Sequence, residues 1–99
     1  MFTKYKNKMT GTFGDISIFS LYSNKLISSG EGGFVITNQK RLFDRVESYK
    51  NLFFGKLDRF NHKDLGFNYR LTNLQAAIAW QELKNIEKYK KINNLIGNE

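Results

Sequence analysis

Lys25 is the residue whose position most clearly suggests chemistry. It lies between a predicted strand that ends in Ser20 and the glycine-rich loop 30–33, with the sequence GEGG. An aldehyde cofactor that carries a phosphate needs such a setting, because a lysine amine forms a Schiff base with the aldehyde and a nearby hydroxyl binds the phosphate. Composition alone leaves a second interpretation open, in which Lys25 is an ordinary surface lysine.

The residues around Lys25 predict two short strands. Residues 15–22, DISIFSLY, alternate so that both faces are largely apolar, which is typical of a strand inside a sheet. Residues 23–33 are rich in Ser and Gly and predict a loop, and residues 34–37, FVIT, predict the second strand. Residues 1–10 are polar and basic without periodicity, which predicts a loop or a frayed end.

A first helix is predicted after the second strand. Asn38 is of a residue type that caps helix N-termini, and apolar residues recur at helical spacing over residues 42–53. Gly55 is expected to end the helix. The polar loop 56–66 follows and contains His62, which we interpret as a loop residue; a contact with substrate is the alternative.

A second helix is predicted to begin near Thr72 or Asn73 and to continue to about Ile96. Its first half, LQAAIAWQEL, is apolar nearly all round, and its second half is amphipathic. Two short strands do not make a stable sheet, so the chain cannot cover this helix or the strand at 15–22. We therefore expect both elements to expose apolar side chains, and we interpret the chain as a segment of a larger α/β domain.

The composition argues against several classes of site and partner. With no cysteine and one histidine in 99 residues, we expect neither disulfides nor a metal site. No segment is apolar and long enough for a signal peptide or a membrane span, so we expect a soluble, cytoplasmic protein without a membrane partner. The net charge of +7 fits a polyanion partner, but the lysines are spread along the chain and favour a solvated surface over nucleic-acid binding.

Three motifs in order carry a family resemblance. They are YKNKMTGTFGDISIFSLYSNK, GEGGFVIT and GFNYRLTNLQAAIAWQEL. From about Tyr5 to Ile96 the chain resembles the sugar aminotransferases of the DegT/DnrJ/EryC1/StrS family. The resemblance implies a dimeric enzyme that uses pyridoxal 5'-phosphate (PLP), with the large PLP-binding domain of the aspartate-aminotransferase (type I) fold. The sequence SNKLISSGEGG is most similar to that of the perosamine-synthase branch, whose members aminate a nucleotide-linked 4-keto-6-deoxy sugar.

The resemblance also assigns roles to individual residues. Lys25 matches the catalytic lysine that forms the Schiff base with PLP, and Ser20 matches the serine that binds the cofactor phosphate. Asn68 matches an asparagine that reaches the phosphate held by the partner subunit. The alternatives are a polar strand end for Ser20 and helix capping or a turn for Asn68. Arg70 has two candidate roles, a structural ion pair or an anion contact.

The resemblance makes residues 1–99 a partial large domain, without the N-terminal part and the C-terminal small domain. The family's aspartate that pairs with the pyridine nitrogen lies in the part that precedes this segment, so we expect the isolated chain to be inactive. The expected function is amino transfer, with glutamate as donor, to a nucleotide-linked keto-sugar for polysaccharide or deoxysugar biosynthesis. The alternative is a non-catalytic basic module for binding or dimerisation that is derived from the same fold.

Overall fold

The computed structural model describes residues 3–55 and 57–97. These residues form two compact units. The first combines the described residues up to Val35 with those from Leu71 onward, and the second is Ile36–Arg70. None of the described helices is long and apolar enough to cross a membrane.

The first unit begins with a small hairpin instead of the predicted loop. Strands β1 (Lys4–Tyr5) and β2 (Lys8–Met9) pair antiparallel. The turn residues Lys6 and Asn7 have φ of 45° and 62°, and a two-residue turn with both φ values positive matches the twist of a hairpin. The prediction of a loop for residues 1–10 is therefore wrong over its described part. It failed because Lys-Asn is a weaker hairpin signal than Asn-Gly.

The two predicted strands around Lys25 are present and pair with each other. They are β3 (Ser17–Ser20) and β4 (Gly33–Ile36), so β3 is shorter than the predicted 15–22. The rings of Phe19 and Phe34 stack with centroids 4.9 Å apart. The fold-class prediction of a mixed α/β architecture holds in this unit.

The predicted second helix is two helices, α2 (Asn73–Lys84) and α3 (Ile86–Ile96). Thr72 caps α2 in a capping box, in which its hydroxyl accepts the Gln75 N–H at 3.2 Å. Asn85 interrupts the helical run. Its backbone N–H bonds the carbonyl of Glu82, three residues back, at 3.0 Å instead of following the four-residue α pattern.

The second unit contains α1 (Lys40–Lys50) and an extended segment beside its C-terminal end. The N-cap is Gln39, not the predicted Asn38. The helix ends before the predicted Gly55, because Leu52 and Phe53 have φ of 58° and 53°, in the left-handed region that cannot continue an α-helix.

Candidate functional site

The ends of the loop that carries Lys25 are closed by backbone hydrogen bonds of Leu21. The Leu21 N–H donates to the Gly32 carbonyl at 2.9 Å, and the Leu21 carbonyl accepts the Ser29 N–H at 2.9 Å. The Ser28 hydroxyl also donates to that carbonyl at 3.2 Å. One residue thus fixes both ends of the loop, and Lys25 lies between them.

The same loop contains the buried residues of the described chain. Leu21, Ile27 and Ser29 are 4%, 3% and 5% exposed, and no other described residue is buried. Ser29 satisfies its buried hydroxyl by donating to the Glu31 carbonyl at 2.6 Å. Buried apolar side chains with satisfied polar groups give this loop a packed base, and the side chain of Leu71, outside the loop, lies close to Gly32.

The glycine-rich end of the loop serves a close approach of the chain to itself. Gly30 and Gly32 have φ of 82° and 112°, which side chains rarely adopt. A side chain on Gly33 would place its Cβ 2.6 Å from the Phe19 carbonyl oxygen, so a larger residue would separate β3 from β4. The sequence GEGG therefore has a structural reason at these three positions.

Lys25 itself is exposed on this loop. Its backbone N–H donates to the Tyr22 carbonyl at 2.9 Å. Within residues 3–55 and 57–97, no carboxylate forms an ion pair with its amine. The loop therefore positions the lysine backbone and leaves the amine available for a ligand.

The Ser20 hydroxyl lies at the end of β3 and is exposed. Its Oγ accepts the backbone N–H of Tyr22 at 3.1 Å. A hydroxyl has one donor and two acceptor lone pairs, so this contact leaves the O–H free to donate. Ser20 can thus offer a hydrogen bond to a phosphate oxygen while its own orientation is restrained.

Asn68 lies in the second unit, in the extended segment beside α1. Hydrogen bonds of its neighbours hold this segment: the Phe67 N–H donates to the Tyr49 carbonyl at 2.7 Å and the Tyr69 N–H to the Lys50 carbonyl at 3.0 Å. The rings of Phe67 and Tyr69 stack with centroids 5.0 Å apart. Because side chains alternate along an extended segment, Asn68 lies on the opposite face from these two rings.

The side chain of Asn68 is held by Arg70. The Arg70 Nε–H donates to Asn68 Oδ1 at 2.9 Å, and no ion pair to a carboxylate is found for Arg70 in the described part of the chain. The candidate role of Arg70 in a structural ion pair is therefore not seen among the described residues, and its guanidinium contacts an amide. The spacing of two in an extended segment would have placed both residues on one face, a signal that the motif NYR contains.

His62 contacts the backbone and an aromatic ring. Its Nδ1 lies within hydrogen-bond distance of the Leu52 carbonyl, and its ring lies 5.1 Å from that of Phe54. A carbonyl can only accept, so Nδ1 carries the proton in this contact. Its interpretation as a loop residue agrees with these contacts.

The comparisons with known proteins agree with these motifs. The sequence model of the DegT/DnrJ/EryC1/StrS aminotransferase family matches residues 1–97. The chain belongs to this family. GDP-perosamine synthase of Escherichia coli O157:H7 is 45% identical over 87 residues, which are 88% of this chain and 24% of that enzyme. A Bacillus subtilis protein named as a pyridoxal phosphate-dependent aminotransferase, EpsN, is 30% identical over 86 residues, which are 87% of this chain and 22% of EpsN.

A solved aminotransferase structure confirms the fold class. PseC of Helicobacter pylori, an aminotransferase involved in the biosynthesis of pseudoaminic acid, superposes with a TM-score of 0.75 at 34% identity. The match covers 83% of this chain and 23% of the PseC chain. The chain is a segment of the α/β aminotransferase fold, and it spans about a quarter of the length of the curated relatives it matches.

The three site residues predicted from the sequence are divided between the units. Ser20 and Lys25 lie in the first unit, and Asn68 lies in the second. Their chemistry fits PLP: a primary amine for the aldehyde, and an O–H and an amide NH₂ as donors for a phosphate dianion. All three side chains are exposed.

Proposed function

We propose that this chain is the lysine-bearing segment of a PLP-dependent aminotransferase that transfers an amino group to a nucleotide-linked keto-sugar. The observation that carries the proposal is the loop 21–32, which begins directly after Ser20 and holds the Lys25 backbone, while no ion pair to the Lys25 amine is found among the described residues. The identity to a GDP-perosamine synthase supports a nucleotide-linked 4-keto-6-deoxy sugar as the acceptor.

In this proposal Lys25 has two tasks. Its Nζ would hold the cofactor at the aldehyde carbon, with loss of water, and when free it would take and return the proton that moves during amino transfer. The cofactor supplies the electron sink and carries the amino group between donor and sugar. Glutamate is the donor that the family resemblance favours.

Ser20 and Asn68 are proposed to bind the cofactor phosphate. The Ser20 O–H donates from the subunit that carries Lys25, and the Asn68 amide donates from the partner subunit. The proposal therefore includes a homodimer with shared sites.

We also propose that residues 1–99 form part of the large PLP-binding domain, with an N-terminal part and a C-terminal small domain outside this segment. The coverage of about a quarter of the relatives supports this division. The carboxylate that pairs with the pyridine nitrogen is then expected in the N-terminal part, so the segment alone would lack activity.

The test is amino transfer by the protein expressed from its complete reading frame. With PLP, glutamate and a GDP-linked 4-keto-6-deoxy sugar, we expect the amino sugar by mass spectrometry. Lys25→Ala should abolish it, and Lys8→Ala, a matched loss of one exposed lysine, should not. A well-folded protein that neither binds PLP nor forms the product contradicts the proposal and favours the binding module.

Mixed dimers test the proposed sharing of sites. If Asn68 acts across the dimer, a Lys25→Ala chain paired with an Asn68→Ala chain has one doubly defective site and one intact site. The mixed dimer is expected to have about half of the wild-type activity, although each parent homodimer is only weakly active. Demonstrated subunit exchange without recovery of activity would assign Asn68 to another role.

A further inference from the structure

We infer that Arg70 is a positioning residue that fixes the Asn68 amide for phosphate binding. The inference rests on the proposed role of Asn68. It starts from the hydrogen bond in which Arg70 Nε–H donates to Asn68 Oδ1 at 2.9 Å. Both residues lie in the second unit, so the contact is internal to one compact part of the chain.

The contact determines which end of the amide faces a ligand. An amide presents an acceptor oxygen and a donor NH₂ group, and a rotation by half a turn exchanges them. Arginine offers donors only, so it holds the oxygen of Asn68 and leaves the NH₂ group pointing elsewhere. A phosphate dianion accepts hydrogen bonds, so it requires this orientation and is repelled by the reverse one.

The surroundings leave Arg70 free for this task. Its backbone follows Tyr69, whose N–H is bonded to the Lys50 carbonyl at 3.0 Å, so the segment is held by α1. In the described ranges, the Asn68 NH₂ group has no acceptor and the Arg70 guanidinium has no carboxylate partner. The full positive charge therefore remains beside the amide, which polarises the NH₂ group and attracts an anion.

The experiment compares ligands with and without the phosphate in the protein from its complete reading frame. Pyridoxamine 5'-phosphate and pyridoxamine form no bond with Lys25, so their dissociation constants report non-covalent binding. Arg70→Met should raise the dissociation constant of pyridoxamine 5'-phosphate about tenfold, because the Asn68 amide loses the charged hydrogen-bond donor that orients it. The same substitution should leave the dissociation constant of pyridoxamine unchanged, because this ligand has no phosphate.

The control and the double variant separate positioning from general charge. Arg59→Met removes a cation of the same unit that lies 5.2 Å over the Phe54 ring. Among the described residues, the hydrogen bond to Asn68 Oδ1 comes from Arg70, so this variant should bind both ligands as the wild type does. In an Asn68→Ala background, Arg70→Met should have little further effect, because the amide to be oriented is gone. Arg70→Lys, which keeps the charge with a different donor geometry, should recover only part of the affinity.

The outcomes distinguish this inference from the proposed function. If Asn68→Ala binds pyridoxamine 5'-phosphate as the wild type does, the proposed role of Asn68 fails, and the inference fails with it. If Asn68→Ala weakens binding but Arg70→Met does not, the inference alone is wrong. A full effect of Arg70→Met in the Asn68→Ala background would also overturn it, by showing that Arg70 acts directly on the ligand.

Discussion

The loop that carries Lys25 and the helix α2 differ in how they are stabilised. The loop 21–32 contains all of the buried residues in the described chain and closes on itself through backbone hydrogen bonds of Leu21. Helix α2 contains no buried residue, although apolar residues lie nearly all round it, and Leu74 and Trp80 are 79% and 63% exposed. The loop thus has short-range hydrogen bonds and buried side chains, whereas the helix has a hydrogen-bonded N-cap and no buried residue.

This difference separates two kinds of information in the sequence. The hydrogen bonds of the loop that carries the lysine join positions fewer than twelve residues apart, so the loop's own sequence specifies them. The apolar surface of α2 is expected to pack on elements beyond the two strands and the hairpin of its own unit. The exposure of α2 should therefore depend more on the rest of the complete protein than the conformation of the loop does.

The largest effect is expected for the 99-residue chain expressed alone. It should be aggregated, oligomeric or molten, and it should not bind PLP tightly, because α2 and β3 expose apolar side chains such as Ile18, which is 80% exposed. Size-exclusion chromatography and denaturant melting measure this. A soluble monomer with a cooperative unfolding transition would show that the chain folds with α2 exposed. It would contradict the expectation that α2 needs covering elements from outside this segment.

Two alanine substitutions, one in the loop 21–32 and one in α2, compare the burial of these regions in the protein from its complete reading frame. Ile27→Ala should lower the free energy of unfolding by about 2–5 kcal/mol, since it leaves a cavity in the loop base. Leu74→Ala should cost a similar amount there, because we expect α2 to be covered. Denaturant unfolding measures both. An effect of Leu74→Ala below about 0.5 kcal/mol, typical of surface positions, would mean that α2 remains exposed.

The smallest effect concerns the contact between α2 and α3. The Tyr89 hydroxyl donates to Glu82 Oε2 at 2.9 Å, and this bond to the carboxylate, together with burial, raises the pKa of Tyr89. A raised pKa stabilises the folded state below the unfolded value of about 10, and this contribution is lost as the pH rises through the folded pKa.

Tyr89→Phe removes this contribution and reports its pH dependence. The difference in unfolding free energy between wild type and Tyr89→Phe should be present at about pH 8 and should decrease towards about pH 11. Other groups titrate equally in both proteins, so the difference isolates this tyrosine. A difference that does not change with pH would assign the effect of the substitution to packing.

Much of the local structure could be predicted from the sequence, because it depends on local patterns. Strand alternation placed β3, strand-forming residues after the glycine loop placed β4, and helical patterns placed α1 and α2. The early end of α1 could not be foreseen, since Leu52 adopts a positive φ in a segment paired with Phe67, fifteen residues further on. The exposure of α2 was expected from its all-round apolar pattern and is confirmed.

The site was predictable to a different degree for each residue. Lys25 and Ser20 stand out because strand, loop and glycines frame them. The roles of all three site residues came from the family resemblance and remain predictions. The contact of Arg70 with Asn68 was missed, because an arginine in an unassigned loop has many possible partners and only the extended backbone places it beside the amide.

Borohydride reduction followed by peptide mapping identifies the lysine that carries PLP. The protein from its complete reading frame is loaded with PLP, reduced and digested, and the modified peptide is mapped by mass spectrometry. We expect the pyridoxyl label on Lys25 and its loss in Lys25→Ala. A label on a different lysine, or no label on a folded protein at saturating PLP, would contradict the claim that the loop 21–32 holds the catalytic lysine.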